Sequence, residues 1–367
     1  MSRQDTPARI PIASPELGSE ARERVLDVID SGLLADGPEV RAFEDDFASA
    51  CGVDHGVATA NGTAALHAAL HACGIGEGDT VVTTPFSFVA TANAVRFCGA
   101  RPVFADIDPD TYNIDPDSVR AVADDHGGVD AILPVHLYGL PADMEALAAI
   151  AAERDAVLIE DAAQAHGATY RGDPVGSLSD AATFSFYPTK NMTTGEGGIV
   201  VTDDDDVARR AARFVNHGRD ENGTFAAVGH NFRMTSIAGA IGRAQLSRLD
   251  EFVRNRRANA TRLTDALAET AVGTPVEPAD RTHAFHQYTV RCAERDALAT
   301  HLDDAGIDTG VYYPEPIHEL PAYDGVDANC PVAERAATEV LSLPVHPTLT
   351  EEQVAAVGSA VADFDEQ

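Results

Sequence analysis

Of the 26 basic side chains in this 367-residue sequence, one alone, Lys190, is a lysine. A composition that uses arginine at every other basic position points to a task at residue 190 that arginine cannot perform. A guanidinium stays protonated at any accessible pH, whereas a desolvated ammonium can lose its proton and attack a carbonyl. Lys190 is therefore a candidate Schiff-base lysine. Its flanks suit the role: the run from Thr183 to Tyr187 is β-branched and aromatic and reads as a buried strand. Gly195, Gly197 and Gly198 then turn the chain into a second apolar run, Ile199 to Thr202. The plainer alternative, a surface lysine that happened to survive, leaves those flanks unexplained.

Other positions carry compatible chemistry. Asn61-Gly62-Thr63 joins an expected strand to an expected helix, so backbone N–H groups and a hydroxyl face outward at a helix N-terminus. That arrangement suits a phosphate, and equally an ordinary capped turn. The strand expected over 156–160 runs into Asp161, with Gln164 three residues on. A carboxylate at the end of a buried strand is costly unless a cation pairs with it. A protonated pyridinium nitrogen would be such a partner. Ser185 shares the strand that leads to Lys190, and Phe88 follows another strand end, where it can lie against a flat ring or fill the core. His67 and His71 have metal-like i,i+4 spacing but no third ligand nearby in sequence, and Asp106, Asp108 and Asp110 lack the glycine and the glutamate of a calcium loop. Those three aspartates read as a solvated turn, and no metal is expected.

The elements that must position these groups follow from periodicity. Helical patterns cover 19–31 and 38–50, the first closing at Gly32. Strands at 56–60, 80–84, 102–106, 130–135 and 156–160 then alternate with helices at 63–73, 87–98, 116–124 and 141–154. Alternation of this kind builds a mainly parallel sheet with helices on both faces, and ligands bind beyond the carboxyl ends of its strands. Helices follow at 236–249 and 251–270, then a strand at 284–292 and helices at 294–305 and 350–364. The reading is an α/β protein with a large domain over 1–250, an N-terminal arm over roughly 1–18, and a smaller α+β domain over 251–367.

With 59 acidic residues the formal net charge is −33. Spread along the chain and combined with lysine depletion, this charge resembles that of proteins from molar-salt cytoplasm, as in halophilic archaea. At about 1 M salt the Debye length is about 3 Å, so self-repulsion is screened. The same field argues against nucleic acid and anionic membranes as partners. No run reaches the length of a membrane span and the N-terminus lacks a signal-like apolar core, so a cytoplasmic location is expected. The five cysteines are widely spaced and read as small buried hydrophobes.

Long motifs in a fixed order complete the picture: NGTAALHAAL, PFSFVATANAV, PVHLYGLPADM, EDAAQAHGATY, FSFYPTKNMTTGEGG, NFRMTSIAGAIG and LSLPVHP. Through them the chain resembles the DegT/DnrJ/StrS sugar aminotransferases, fold-type I enzymes that use pyridoxal 5'-phosphate. The resemblance implies that Lys190 carries the cofactor as a Schiff base, Asp161 pairs with the ring nitrogen, Gln164 meets the ring hydroxyl and Phe88 stacks on the ring. It further implies that Gly62, Thr63, the backbone of Ala64 and Ser185 hold the phosphate, and that Asn231 reaches the phosphate of the neighbouring subunit in a homodimer. His286, Tyr313 and His318 would face a nucleotide-linked keto sugar, with glutamate or glutamine as amino donor and glycan or surface polysaccharide as the destination. Tyr312-Tyr313-Pro314 stands where many relatives have His-Tyr-Pro. Competing readings are a sugar dehydratase, which has histidine at the lysine position, a regulatory paralogue without activity, and a desulfurase, for which Cys330 is the nearest candidate nucleophile.

Overall fold

The computed structural model describes residues 9–326 and 328–365, so the first eight residues of the expected N-terminal arm lie outside it. Two helices, α1 (Gly18–Ser31) and α2 (Pro38–Cys51), precede an alternating series. That series is β1 (His55–Thr59), α3 (Gly62–Ala72), β2 (Thr80–Thr83), α4 (Ala90–Phe97), β3 (Arg101–Phe104), α5 (Pro116–Asp125), β4 (Ala131–Leu133), α6 (Met144–Arg154) and β5 (Val157–Asp161). A short pair, β6 (Thr169–Tyr170) and β7 (Asp173–Pro174), leads to β8 (Ala181–Ser185), β9 (Gly198–Thr202) and α7 (Asp205–Val215). The remainder comprises α8 (Ser236–Leu246), α9 (Leu249–Leu267), β10 (Arg281–Thr282), β11 (Tyr288–Arg291), α10 (Arg295–Asp304), α11 (Pro331–Glu339), β12 (Val340–Leu343) and α12 (Glu351–Asp365).

Seven strands form the central sheet in the order β1-β9-β8-β5-β4-β2-β3. β9 runs antiparallel to both β1 and β8, and the remaining pairings are parallel. The expected α/β architecture is thus present, and its strands are apolar for the reason anticipated. Val81, Ile159 and Val200 pack toward α3, α4 and α7, while their neighbours Val82, Leu158 and Val201 pack into cores on the opposite face. With both faces covered, successive residues are all buried and simple alternation disappears. A separate core gathers Ile10, Tyr288, Leu302, Leu343 and Val357. α9 serves two cores, with Leu249 and Val253 in one and Leu263 and Leu267 in the other. Among the described residues, no helix is long and apolar enough to cross a membrane.

Several departures from the sequence reading have local causes. The helix expected over 87–98 begins only at Ala90. Thr84 Oγ1 takes the Phe86 N–H at 3.1 Å, a side-chain bond that competes with helical pairing, and residues 84–89 remain a loop. α7 has no counterpart among the expected elements; Asp204 caps it, its carboxylate accepting the Asp206 and Val207 N–H groups at 2.7 and 3.0 Å. Asp106 is no solvated turn residue. Its carboxylate accepts the Val332 and Ala333 N–H groups, each at 2.9 Å, and so closes the first turn of α11 from 226 residues away. α11 and β12 had no signal in the sequence reading.

Candidate active site

At the carboxyl edge of the sheet lies a cavity of about 890 Å³. Gly62, Thr63, Ala64, Phe88, Asp161, Gln164, Ser185, Lys190, His286 and Tyr313 all line it, brought together from positions as far apart as 62 and 313. Neither Asn231 nor His318 does. Asn231 is exposed, on a segment whose backbone bridges Asn216. His318 instead faces a neighbouring helix. The short 3-10 turn Ile317–Glu319 carries it against Phe104 and α11, where Nε2 meets the Glu334 carboxylate at 3.3 Å.

Lys190 follows β8 by five residues, and its amine is shut in by protein although the residue keeps some accessible surface through the cavity. Burial lowers its pKa from 10.5 to about 8, against the opposing charge of Asp161. A usable fraction of neutral amine therefore exists near neutrality. Asp161, the last residue of β5, is 3% exposed. Its Oδ2 accepts from Thr91 Oγ1 at 2.7 Å and its Oδ1 from the Ala163 N–H at 3.2 Å. Burial still pushes its pKa up, because these bonds and the charge of Lys190 only partly offset the loss of water. Among the described residues, no arginine lines the cavity. A buried carboxylate in this condition is best compensated by a cation arriving inside the cavity, which is what a protonated ring nitrogen supplies.

The opposite wall is a helix N-terminus. Asn61 caps α3, and its Oδ1 accepts the Ala64 N–H at 2.9 Å. That amide, one of the expected phosphate donors, is thus already engaged within the chain, which leaves Gly62 and Thr63 in the first turn. Glycine is required at 62 by close approach: a Cβ there would stand 2.7 Å from Cβ of Ser185. The same contact sets the Ser185 side chain beside the helix end. Phe88, 58% exposed, projects from the 84–89 loop with its ring 6.3 Å from that of Tyr313. Gln164 Oε1 accepts the Tyr138 N–H at 2.8 Å, and its Nε2 donates to the Tyr313 hydroxyl at 3.2 Å. His286 is buried, its Nδ1 has no hydrogen-bond partner, and desolvation with nearby Lys190 and Arg256 keeps it neutral.

Sequence reasoning missed several members of the site. Thr91, the hydroxyl on Asp161, sits three residues after Phe88 in the same motif, and its recognition needed the knowledge that the helix starts late. His67 lines the cavity too, and the structure places His230 beside it, ring centroids 5.4 Å apart. Burial and the two neighbouring histidines lower the His67 pKa to about 4. Tyr187, Glu196 and Phe232 complete this side. Cys330 is fully buried with Sγ near the Phe104 carbonyl, and burial pushes its thiol up to about 12. A thiol so placed is no nucleophile.

Sheet and site together define a class, the fold-type I transferases that work through pyridoxal 5'-phosphate. The residues fit that cofactor: a depressed amine, a buried carboxylate lacking a full cation, and a glycine-opened helix end. More narrowly, the chain belongs to the DegT/DnrJ/EryC1/StrS aminotransferase family, whose model matches residues 15–362. It is 45% identical over 93% of its length, and 93% of the relative's, to a pleiotropic regulatory protein of Geobacillus stearothermophilus. A dTDP-3-amino-3,4,6-trideoxy-α-D-glucose transaminase of Streptomyces venezuelae is 40% identical, covering 100% of this chain and 98% of that one. The crystal structure of S. venezuelae DesV in complex with a ketimine intermediate superposes with a TM-score of 0.95 at 39% identity, over 98% of this chain and 100% of that chain.

Proposed function

We propose that this protein is an aminotransferase that moves an amino group from glutamate or glutamine to a keto group of a nucleotide-linked sugar, for glycan or surface polysaccharide synthesis. The observation that carries the reading is Lys190, the sole lysine, held beside Asp161 with its amine depressed to about 8. When bound, the cofactor would supply the electron sink that makes the donor's α-proton acidic. The chain's own residues do the rest. Asp161 would hold the ring nitrogen protonated, Gln164 would hold the ring hydroxyl and Phe88 would stack on the ring. Gly62, Thr63 and Ser185 would bind the phosphate, an anion at a helix N-terminus. Lys190 Nζ takes the proton from the donor's α-carbon and, in the reverse direction, returns one to the sugar carbon. His286 and Tyr313 face the substrates.

We further infer a homodimer with shared sites. The support is that no arginine among the described residues lines the cavity, whereas Asn231 and Arg233 lie on an outer segment next to β1. A second copy offering that segment would supply groups for the phosphates of cofactor and nucleotide. The division of the chain falls near residue 250, where α9 begins to serve both cores. A cytoplasmic location and adaptation to high salt, as in halophilic archaea, accord with the charge of −33. Lys190 argues against the dehydratase reading, and the inert Cys330 thiol argues against desulfuration.

The test is an absorbance spectrum of the protein in molar salt with pyridoxal 5'-phosphate, before and after glutamate, for the wild type and Lys190→Ala. A visible band that glutamate abolishes, and that the variant lacks, establishes the first half-reaction. Candidate keto sugars are then scored by its return. A folded wild type with no such band sinks the proposal and favours a regulatory role.

A further inference from the structure

One residue drawn from the C-terminal part of the chain reaches deeper than substrate binding requires. Tyr313 belongs to the segment between α10 and α11, which is pinned to the loop holding Phe88 by the Ile317 N–H on the Pro85 carbonyl at 2.8 Å. Its ring lies 6.3 Å from Phe88 and 6.4 Å, edge-on, from Phe86. Its hydroxyl accepts from Gln164 Nε2 at 3.2 Å.

The orientation of Gln164 is not free. Its Oε1 already takes the Tyr138 N–H at 2.8 Å, which fixes which end of the amide is oxygen. The amide nitrogen therefore has two hydrogens to place, one on Tyr313 and one left for the cavity that Gln164 lines. Tyr138 in turn is tied to the same segment, its hydroxyl donating to the Tyr312 carbonyl. The two tyrosines thus grip Gln164 from both ends of its amide, and both grips depend on residues 312 and 313. Burial and the charge of Asp161 keep the Tyr313 phenol protonated throughout the working pH range, so the grip does not switch with pH.

We propose that Tyr313 is a positioning residue for the cofactor: by fixing the Gln164 amide it aims that amide's second N–H at the ring hydroxyl, and it thereby sets the electronics of the Lys190 adduct from the C-terminal part of the chain. The inference rests on the proposed function and adds a role to a residue otherwise assigned to the sugar. A hydrogen bond held at fixed geometry on the ring oxygen stabilises its ionised form, and loss of the holder lets the amide turn away.

The experiment titrates the visible absorbance of the holoenzyme with pH, without any sugar present, in the wild type, Tyr313→Phe, Gln164→Ala and the double variant. Cofactor affinity is read in parallel by fluorescence. Tyr313→Phe should shift the midpoint of the spectral titration by about half a pH unit or more and weaken cofactor binding severalfold, in proportion to one lost hydrogen bond. Gln164→Ala should produce a shift of the same sign, and adding Tyr313→Phe to it should change nothing further, the mark of two residues acting as one unit. An unchanged midpoint in Tyr313→Phe, with only the sugar KM raised, makes Tyr313 a substrate contact and overturns the inference. A full additional shift in the double variant overturns it too, because Tyr313 would then act without Gln164. A wild type that shows no visible band overturns the proposed function as well, so the two failures are told apart by the wild-type spectrum.

Discussion

Asp161→Asn separates the two influences on the Lys190 amine. Burial lowers its pKa from 10.5 to about 8, and the Asp161 carboxylate pulls the other way. A shift of that size corresponds to about 3 kcal/mol favouring the neutral amine, at about 1.4 kcal/mol per pH unit. At pH 7 it raises the neutral fraction from about one in three thousand to about one in ten. Without the opposing carboxylate the midpoint should fall below 8, and reaction with a carbonyl at pH 7 should speed up by as much as about tenfold, the limit set by complete deprotonation. Salicylaldehyde suits the assay because it has no pyridine nitrogen for Asp161 to hold. Borohydride trapping followed by peptide mass analysis isolates residue 190, since the α-amino terminus is the only other primary amine in a chain with one lysine. The wild-type rate should rise with a midpoint near 8 and that of Asp161→Asn at lower pH. A wild-type midpoint near 10.5, or a variant midpoint above the wild type, would refute the reasoning. Stability offers a cross-check with a definite sign. The folded pKa lies below the unfolded one, so burying the charged amine costs most below pH 8 and the cost fades as pH rises toward 10.5. The stability gained by Lys190→Met should therefore shrink across that window.

Gly62→Ala puts a methyl 2.7 Å from Cβ of Ser185, so the start of α3 must move. Cofactor affinity, measured by fluorescence titration, should fall by about tenfold or more, equivalent to about 1.4 kcal/mol, and an unchanged affinity would remove Gly62 from the phosphate site. Glu160, fully buried, accepts from His136 Nε2 and Ser179 Oγ at 2.9 Å and from the Gly176 and Leu178 N–H groups at 3.0 Å. Glu160→Ala orphans four donors and should cost about 3–5 kcal/mol in urea unfolding in molar salt, whereas a loss under 1 kcal/mol would show that water replaces the carboxylate freely. Raising salt from about 0.1 to about 1 M shortens the Debye length from about 10 to about 3 Å. The melting temperature should climb steeply over that range, and a flat response would contradict the salt adaptation inferred from the charge.

Much of this protein was legible because local rules leave marks in the chain. Strand β5 ending in Asp161, the turn Asn61-Gly62-Thr63 opening α3, and the lone Lys190 after β8 each occupy a strand end, and strand ends of a parallel sheet converge on one edge whatever the details of packing. Composition alone carried the charge and its implications. What the sequence concealed depends on contacts made across long separations. Asp106 looks like one of three acids in a turn until α11 arrives to be capped by it, and α7 goes unmarked until Asp204 is seen capping it. His318 carried a motif position that pointed to the cavity, yet the 3-10 turn that carries it directs the ring at Glu334. Tyr313 shows the converse: its motif named it a substrate contact, and only the packed chain brings its hydroxyl to Gln164, 149 residues away. Residue type and spacing therefore determined which chemistry this chain can hold, because protonation, strand ends and helix caps are properties of short segments. The tertiary structure decided which side chain meets which, because a hydrogen bond made within about 3 Å between residues a hundred or more positions apart leaves no periodicity in the sequence to read.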